Sequence, residues 1–268
     1  MRIERTEPTT GTPDRTRREE IVPLFTGPRG VEPEGYLDCS QSEGWEVAPP
    51  ENSKPSRWEV QIEAVRQFIA PFEVLDSEAA KEQASGDDEM GGVYFYPFNN
   101  NFLPIGHGDD DGDLNSSNFD VKMNAFVRKY FDASGQPRGG TTIMAAIRAG
   151  DKHYLGEFGP GGENEMPREQ RPIRARTVWT DGELTDVDAF VHYLEAATPS
   201  QGLGSRQEWD EAWAVAIIGH GEAAGAAYRQ YLTIAQTYPF VHPYLFDQVS
   251  NPAEIAEDMA IAVAPSNA

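Results

Sequence analysis

Asp38-Cys39-Ser40-Gln41-Ser42 places an oxygen-bearing side chain at every second position, directly after Gly35-Tyr36-Leu37, a short run that reads as a strand. Alternate residues of an extended chain point the same way, so at a strand-to-loop exit these oxygens can converge on one point. Neutral hydroxyls beside a carboxylate are oxygen-only donors, the kind that suit Mg²⁺, Ca²⁺ or Mn²⁺ and do not suit zinc or copper. The same residue types also cap turns and helix ends, so the triplet gains its meaning from two later segments. Thr141 follows Gly139-Gly140 at the start of a helical run, and Asp181-Gly182 follows the strand-like run Ala175 to Trp179.

Other chemistry finds less support. Asp109, Asp111 and Asp113 occupy the first three ligand positions of an EF-hand loop, with Asp120 at the twelfth, but Leu114 stands where the sharp turn requires Gly. Cys39 is the one cysteine, which excludes an intrachain disulfide and a cysteine-rich zinc site. A thiol nucleophile beside His220 lacks any supporting spacing, and a lone thiol at a strand end is more often a small packing residue. His107, His153, His192 and His242 are scattered without metal-ligand spacing. Glu183 can reach a metal-bound water or simply face solvent. The glycine-rich pieces at 159–162 and 219–225 match neither phosphate-binding pattern, so nucleotide binding is not inferred.

The acidic balance, 44 carboxylates against 22 basic side chains, disfavours nucleic acid and anionic membrane surfaces, which would repel the chain. It fits cation binding, a basic partner or a highly soluble protein. The N-terminus has no apolar h-region, and no run of about 18 apolar residues occurs, so neither a signal peptide nor a membrane span is expected and the expected location is the cytoplasm.

The elements that must position these residues follow from pattern. Residues 1–20, with five Arg against five acids, read as a mobile tail, and 21–268 as a single domain. Ile21 to Phe25 and Phe102 to Ile105 read as edge segments. Ser56 caps a helix from Arg57 to Ile69 that Pro71 ends, and residues 76–91 read as an acidic surface stretch. Val93 to Tyr96 reads as a strand buried on both faces. A helix spans Phe119 to Tyr130, and Thr141 or Thr142 opens another with Ile143, Met144 and Ile147 inward. A loop from Phe158 to Arg171 precedes a strand from Ile173 to Thr180. Thr185 and Asp188 read as a capping box for a helix to about Ala196. Then come a strand (Trp213 to Ile218), a helix (Glu222 to Gln236), a strand (Val241 to Phe246, interrupted by Pro243) and a helix capped by Asn251 with Pro252 at its first position. Mostly apolar strands alternating with helices predict an α/β fold, a doubly wound, mostly parallel sheet with helices on both faces. Ligands of such sheets sit at the carboxyl ends of strands where strand order reverses, and Asp38, Thr141 and Asp181 can all reach that edge.

Together the three segments resemble the metal-ion-dependent adhesion site of the von Willebrand factor A (VWA) family, in which D-x-S-x-S, a Thr after a Gly pair and the Asp of a T/S-D-G turn hold one divalent cation. The resemblance spans about Glu34 to Ala264, and Thr180 to Asp186 is similar to bacterial cytoplasmic members, including those of tellurite-resistance clusters. It implies a Rossmann-like VWA fold and Asp38, Ser40, Ser42, Thr141 and Asp181 as ligands of Mg²⁺ (or Ca²⁺ or Mn²⁺), directly or through water, with Thr142 an alternative to Thr141. It further implies a partner protein that supplies a Glu or Asp to the ion, and no catalysis. The long loops at 43–55 and 76–91, the Asp109 to Asp113 insertion and Cys39 depart from the family pattern. The rival expectation is a Mg²⁺-dependent hydrolase or phosphotransferase with Asp38 as nucleophile, but Ser40 stands where a second carboxylate is usual and no Lys flanks any motif. A structural subunit of a larger assembly is a third.

Overall fold

Strands that are apolar along their whole length can only be stable when both sides of the sheet are covered. The computed structural model describes residues 29–40, 55–83, 93–99, 114–131, 140–201, 210–246 and 251–264. Their strands are β1 (Val31–Asp38), β2 (Tyr94–Phe98), β3 (Ile173–Thr180), β4 (Glu211–Ile218) and β5 (Val241–Phe246). They form one all-parallel sheet in the order β2-β1-β3-β4-β5. The helices are α1 (Arg57–Gln83), α2 (Phe119–Tyr130), α3 (Met144–Phe158), α4 (Val187–Gln201), α5 (Gly221–Thr237) and α6 (Pro252–Val263).

The two faces carry separate cores. On one, α1, α2 and α6 pack Phe68, Phe119 and Met259 against Leu37, Trp179 and the alanines of β4. On the other, α3, α4 and α5 pack Ile147, Phe190 and Tyr231 against Tyr36, Val178 and Trp213. The expected doubly wound α/β architecture is the observed one. Every residue of β3 and β4 is buried, as their central position demands.

Prolines mark where the sheet tolerates a missing amide. Pro97 and Pro243 lie in β2 and β5, the two edge strands, and β5 runs through Pro243 without interruption. β1 begins four residues before the expected Gly35. Its Pro33 pairs only with β3, because β2 joins from Glu34 onward. β2 ends at Phe98 and lies at the sheet edge. The larger departure is α1, which continues past Pro71 to Gln83. Phe68, Ile69 and Phe72 bracket the proline and are all buried against the sheet, so packing outweighs the roughly 3 kcal/mol that an interior proline costs a helix. The segments at 1–20, 21–25 and 102–105 lie outside the described residues.

Helix starts show which caps are local and which are not. Ser56 and Glu59 form a reciprocal capping box at α1: the Glu59 amide donates to Ser56 Oγ (3.2 Å), and the Ser56 amide donates to Glu59 Oε2 (2.7 Å). Asn251 caps α6 as expected, accepting from the Ala253 amide. The Thr185–Asp188 box is not what forms. α4 starts at Val187, and the Thr185 hydroxyl donates to the Thr141 carbonyl instead (2.8 Å). α3 starts at Met144 and is capped from 42 residues away, where the Asp186 carboxylate accepts from the amides of Ile143 and Met144.

A buried ionic network ties α3 and α4 to the amino-terminal half of the sheet. Arg174 grips Glu34 with two bonds (2.6 and 2.9 Å) and also reaches Asp151 of α3 (2.6 Å). Arg176 is 0% exposed, stacks over Trp213 at 4.7 Å, and bonds both Asp151 and the Tyr193 hydroxyl of α4. Burial works to raise the Glu34 and Asp151 carboxyls, but the two guanidiniums outweigh it and hold both below the ordinary range. Gly150 permits this approach, since a Cβ there would lie 2.6 Å from the Tyr36 hydroxyl and 2.9 Å from Glu34 Oε2.

Candidate metal centre

The chain leaves β1 for α1 on one face and leaves β3 for α4 on the other, although β1 and β3 are neighbours. Strand order therefore reverses between them, and a crevice opens at their carboxyl ends. Asp38 is the last residue of β1, Thr180 the last of β3, and Asp181 follows at once.

Asp38 is 0% exposed. Its Oδ1 accepts from the Ser40 amide (2.8 Å) and its Oδ2 from the Thr180 hydroxyl (2.7 Å), while its carbonyl accepts from Gln61 Nε2 of α1 (3.1 Å). Burial pushes the Asp38 carboxyl up and the charge of Asp181 pushes it further. The Thr180 and Ser40 hydrogen bonds only partly oppose this, and the group settles at about 7. Two carboxylates share this low-dielectric edge, and the upper one of the pair carries the cost.

Asp181 is also buried. Its Oδ2 accepts from Arg57 Nη1 at 2.6 Å, with the two side chains 7% and 10% exposed. Among the described residues no donor reaches its Oδ1. Gly219, in the turn between β4 and α5, closes the flank. A Cβ there would stand 3.6 Å from Arg57 Cζ, 3.4 Å from the Asp181 carbonyl and 3.3 Å from the Ala224 methyl. His220 follows it and precedes α5, so the histidine does border this edge.

Ser40 is buried and bonds the Asp38 carboxyl through both its amide and its side chain. Thr141 is buried at the entry to α3. Its carbonyl accepts from the amide and the hydroxyl of Thr185, four residues past Asp181, which pins α3 to the β3–α4 turn. Thr142 commits its hydroxyl to the Asn99 carbonyl. Ser42 and the Asp109 to Asp113 run lie outside the described residues, and Asp120 pairs with Arg66. Glu183 is exposed. Cys39 is a core residue whose thiol contacts the Leu37 carbonyl, the packing role rather than the nucleophilic one.

Among the described residues no three His, Cys, Asp or Glu side chains gather as a metal cluster. The centre has two carboxylates, and hydroxyls must supply the rest. That donor set is all oxygen and carries little charge, which fits a hard divalent cation. Asp38 feels the charge of Asp181, and Arg57 already offsets part of that charge.

Sequence reasoning missed Arg57, Gln61 and Thr180 as parts of this centre. One signal was present. An arginine at the first position of a helix opposes the helix dipole, which favours acids there, and so it needs a carboxylate partner from elsewhere.

No family model matches the sequence, and no curated protein matches it either. Similar solved structures include the PilB minor pilin from Streptococcus sanguinis (TM-score 0.47, 8% identity, 87% of this chain and 60% of that one). The D319A mutant of the same pilin gives a TM-score of 0.47 at 10% identity over 87% of this chain and 60% of that one. A von Willebrand factor type A protein from Catenulispora acidiphila gives 0.42 at 13% identity, over 86% of this chain and 42% of that one. The chain thus spans three fifths or less of the length of these solved chains. Likeness at this level says nothing about the site, and the α/β assignment stands on the sheet order itself. Among the described residues no helix is long and apolar enough to cross a membrane.

Proposed function

We propose that this chain is a VWA-type, divalent-cation-dependent protein-binding module, and that Asp38, Ser40, Ser42, Thr141 and Asp181 hold the ion directly or through water. The observation that carries the reading is the pairing of two buried carboxylates, Asp38 and Asp181, at the edge where strand order reverses. Mg²⁺, Ca²⁺ or Mn²⁺ held there by few anionic ligands supplies an electrophilic position that a Glu or Asp of a partner protein can enter.

The chain's own residues do the preparing. β1 and β3 bring Asp38 and Asp181 to one edge without a conformational search. Ser40 and Thr180 orient the Asp38 carboxyl through its two oxygens. Thr185 and Asp186 fix the entry of α3, and with it Thr141. Gln61 anchors the end of β1 to α1.

Isothermal titration with MgCl2 and MnCl2 tests the reading on the wild type and on Asp181→Ala. Measurable binding by the wild type, lost in the variant while its circular dichroism stays native, is the expected result. Equal binding by both proteins refutes the ligand assignment, and no binding by either refutes the cation reading. Once a partner is in hand, EDTA must abolish its binding.

A further inference from the structure

We infer that Arg57 sets how tightly this centre holds a cation: its guanidinium is the resident counter-charge on Asp181, and an ion that takes Asp181 must share it with or displace Arg57. The inference rests on the cation reading above and adds a residue outside the five proposed ligands.

Three observations carry it. Arg57 Nη1 lies 2.6 Å from Asp181 Oδ2, in a pair whose side chains are 10% and 7% exposed, so solvent screens their interaction little. Arg57 is the first residue of α1, where the helix dipole disfavours a cation, and the contact with Asp181 offsets that disadvantage. The Gly219 turn borders the guanidinium, close enough that a Cβ there would make van der Waals contact with Arg57 Cζ at 3.6 Å. The guanidinium therefore has a fitted place, not a chance one.

The consequence is an exchange of one positive charge for another. A buried carboxylate stripped of its partner is strongly destabilising, and Arg57 spares Asp181 that state when no ion is bound. The same fixed charge repels an approaching divalent ion, so the centre binds cations more weakly than its carboxylates alone would. Binding also loosens the first turn of α1, where Arg57 sits one helical turn before Gln61 and the end of β1.

The test is isothermal titration of the full chain with MnCl2 at pH 8, comparing the wild type with Arg57→Gln and Arg57→Lys. Arg57→Gln is expected to bind Mn²⁺ at least tenfold more tightly, with Arg57→Lys close to the wild type because it keeps the charge. Equal or weaker binding by Arg57→Gln overturns it while leaving the cation reading intact. Folded proteins that bind no Mn²⁺ in any form overturn both. Should Arg57→Gln fail to fold, the wild type decides through the Arg57 side-chain Nε–H resonance. Its displacement or exchange broadening on adding Mg²⁺ supports the exchange, and an unmoved resonance in protein that binds Mg²⁺ overturns it.

Discussion

Asp38→Asn separates the electrostatic cost of this centre from its structural role. The Asp38 carboxyl is raised from 3.8 to about 7, chiefly by burial and then by Asp181. A folded-state value above the unfolded one means that the native protein keeps this proton longer than the unfolded chain does. The associated stability is therefore complete below about pH 3.8 and is lost as pH rises toward 7. A displacement of about three on the pH scale, at 1.36 kcal/mol each, amounts to about 4 kcal/mol lost by pH 8. Asparagine carries no charge at any pH and avoids that loss. It can still accept from the Ser40 amide, but it offers an N–H₂ group to the Thr180 hydroxyl in place of an acceptor, at a cost of about 1 kcal/mol. In urea denaturation with EDTA present, followed by tryptophan fluorescence, Asp38→Asn should be within about 1 kcal/mol of wild type at pH 5 and about 3 kcal/mol more stable at pH 8. Adding Mg²⁺ at pH 8 should narrow the gap by stabilising the wild type alone. A stability difference that does not change between pH 5 and pH 8 would refute the claim that Asp38 is held in an unfavourable ionised state.

Two further perturbations test how the edge is positioned. Asp186→Ala removes the carboxylate that accepts from the Ile143 and Met144 amides, and should cost about 1–2 kcal/mol in thermal unfolding, with faster hydrogen exchange at those two amides. Arg176→Met leaves Asp151 and Glu34 short of a counter-charge in a buried setting and should cost about 3–5 kcal/mol in urea at pH 7. Because both carboxyls are held below the ordinary range, the stability they contribute is present above their unfolded values and lost as pH falls, so the Arg176→Met deficit should shrink in acid.

The strands of this protein, its alternation of strand and helix, and several helix starts were readable from the chain because they are short-range properties. Apolar runs such as Trp213 to Ile218 need burial on both faces wherever they end up. Ser56 and Asn251 cap helices that begin one residue later. Alternation placed Asp38 and Asp181 at strand ends, and a parallel α/β sheet places strand carboxyl ends at one edge. What the chain alone did not disclose depends on which strands and helices become neighbours. Pro71 reads as a stop, yet the packing of Phe68 and Phe72 carries α1 past it. Arg174 and Arg176 lie inside the fully buried strand β3, and they are explained by Glu34 and Glu211 on the adjacent strands and by Asp151 and Tyr193 on the covering helices. The partner of Asp181 is 124 residues away, at the start of a helix packed on the opposite face from α4. Hydrophobic periodicity is set by each residue's immediate neighbours along the chain, whereas a buried charge is set by whatever charge the fold brings within a few ångströms, and only tertiary packing decides that.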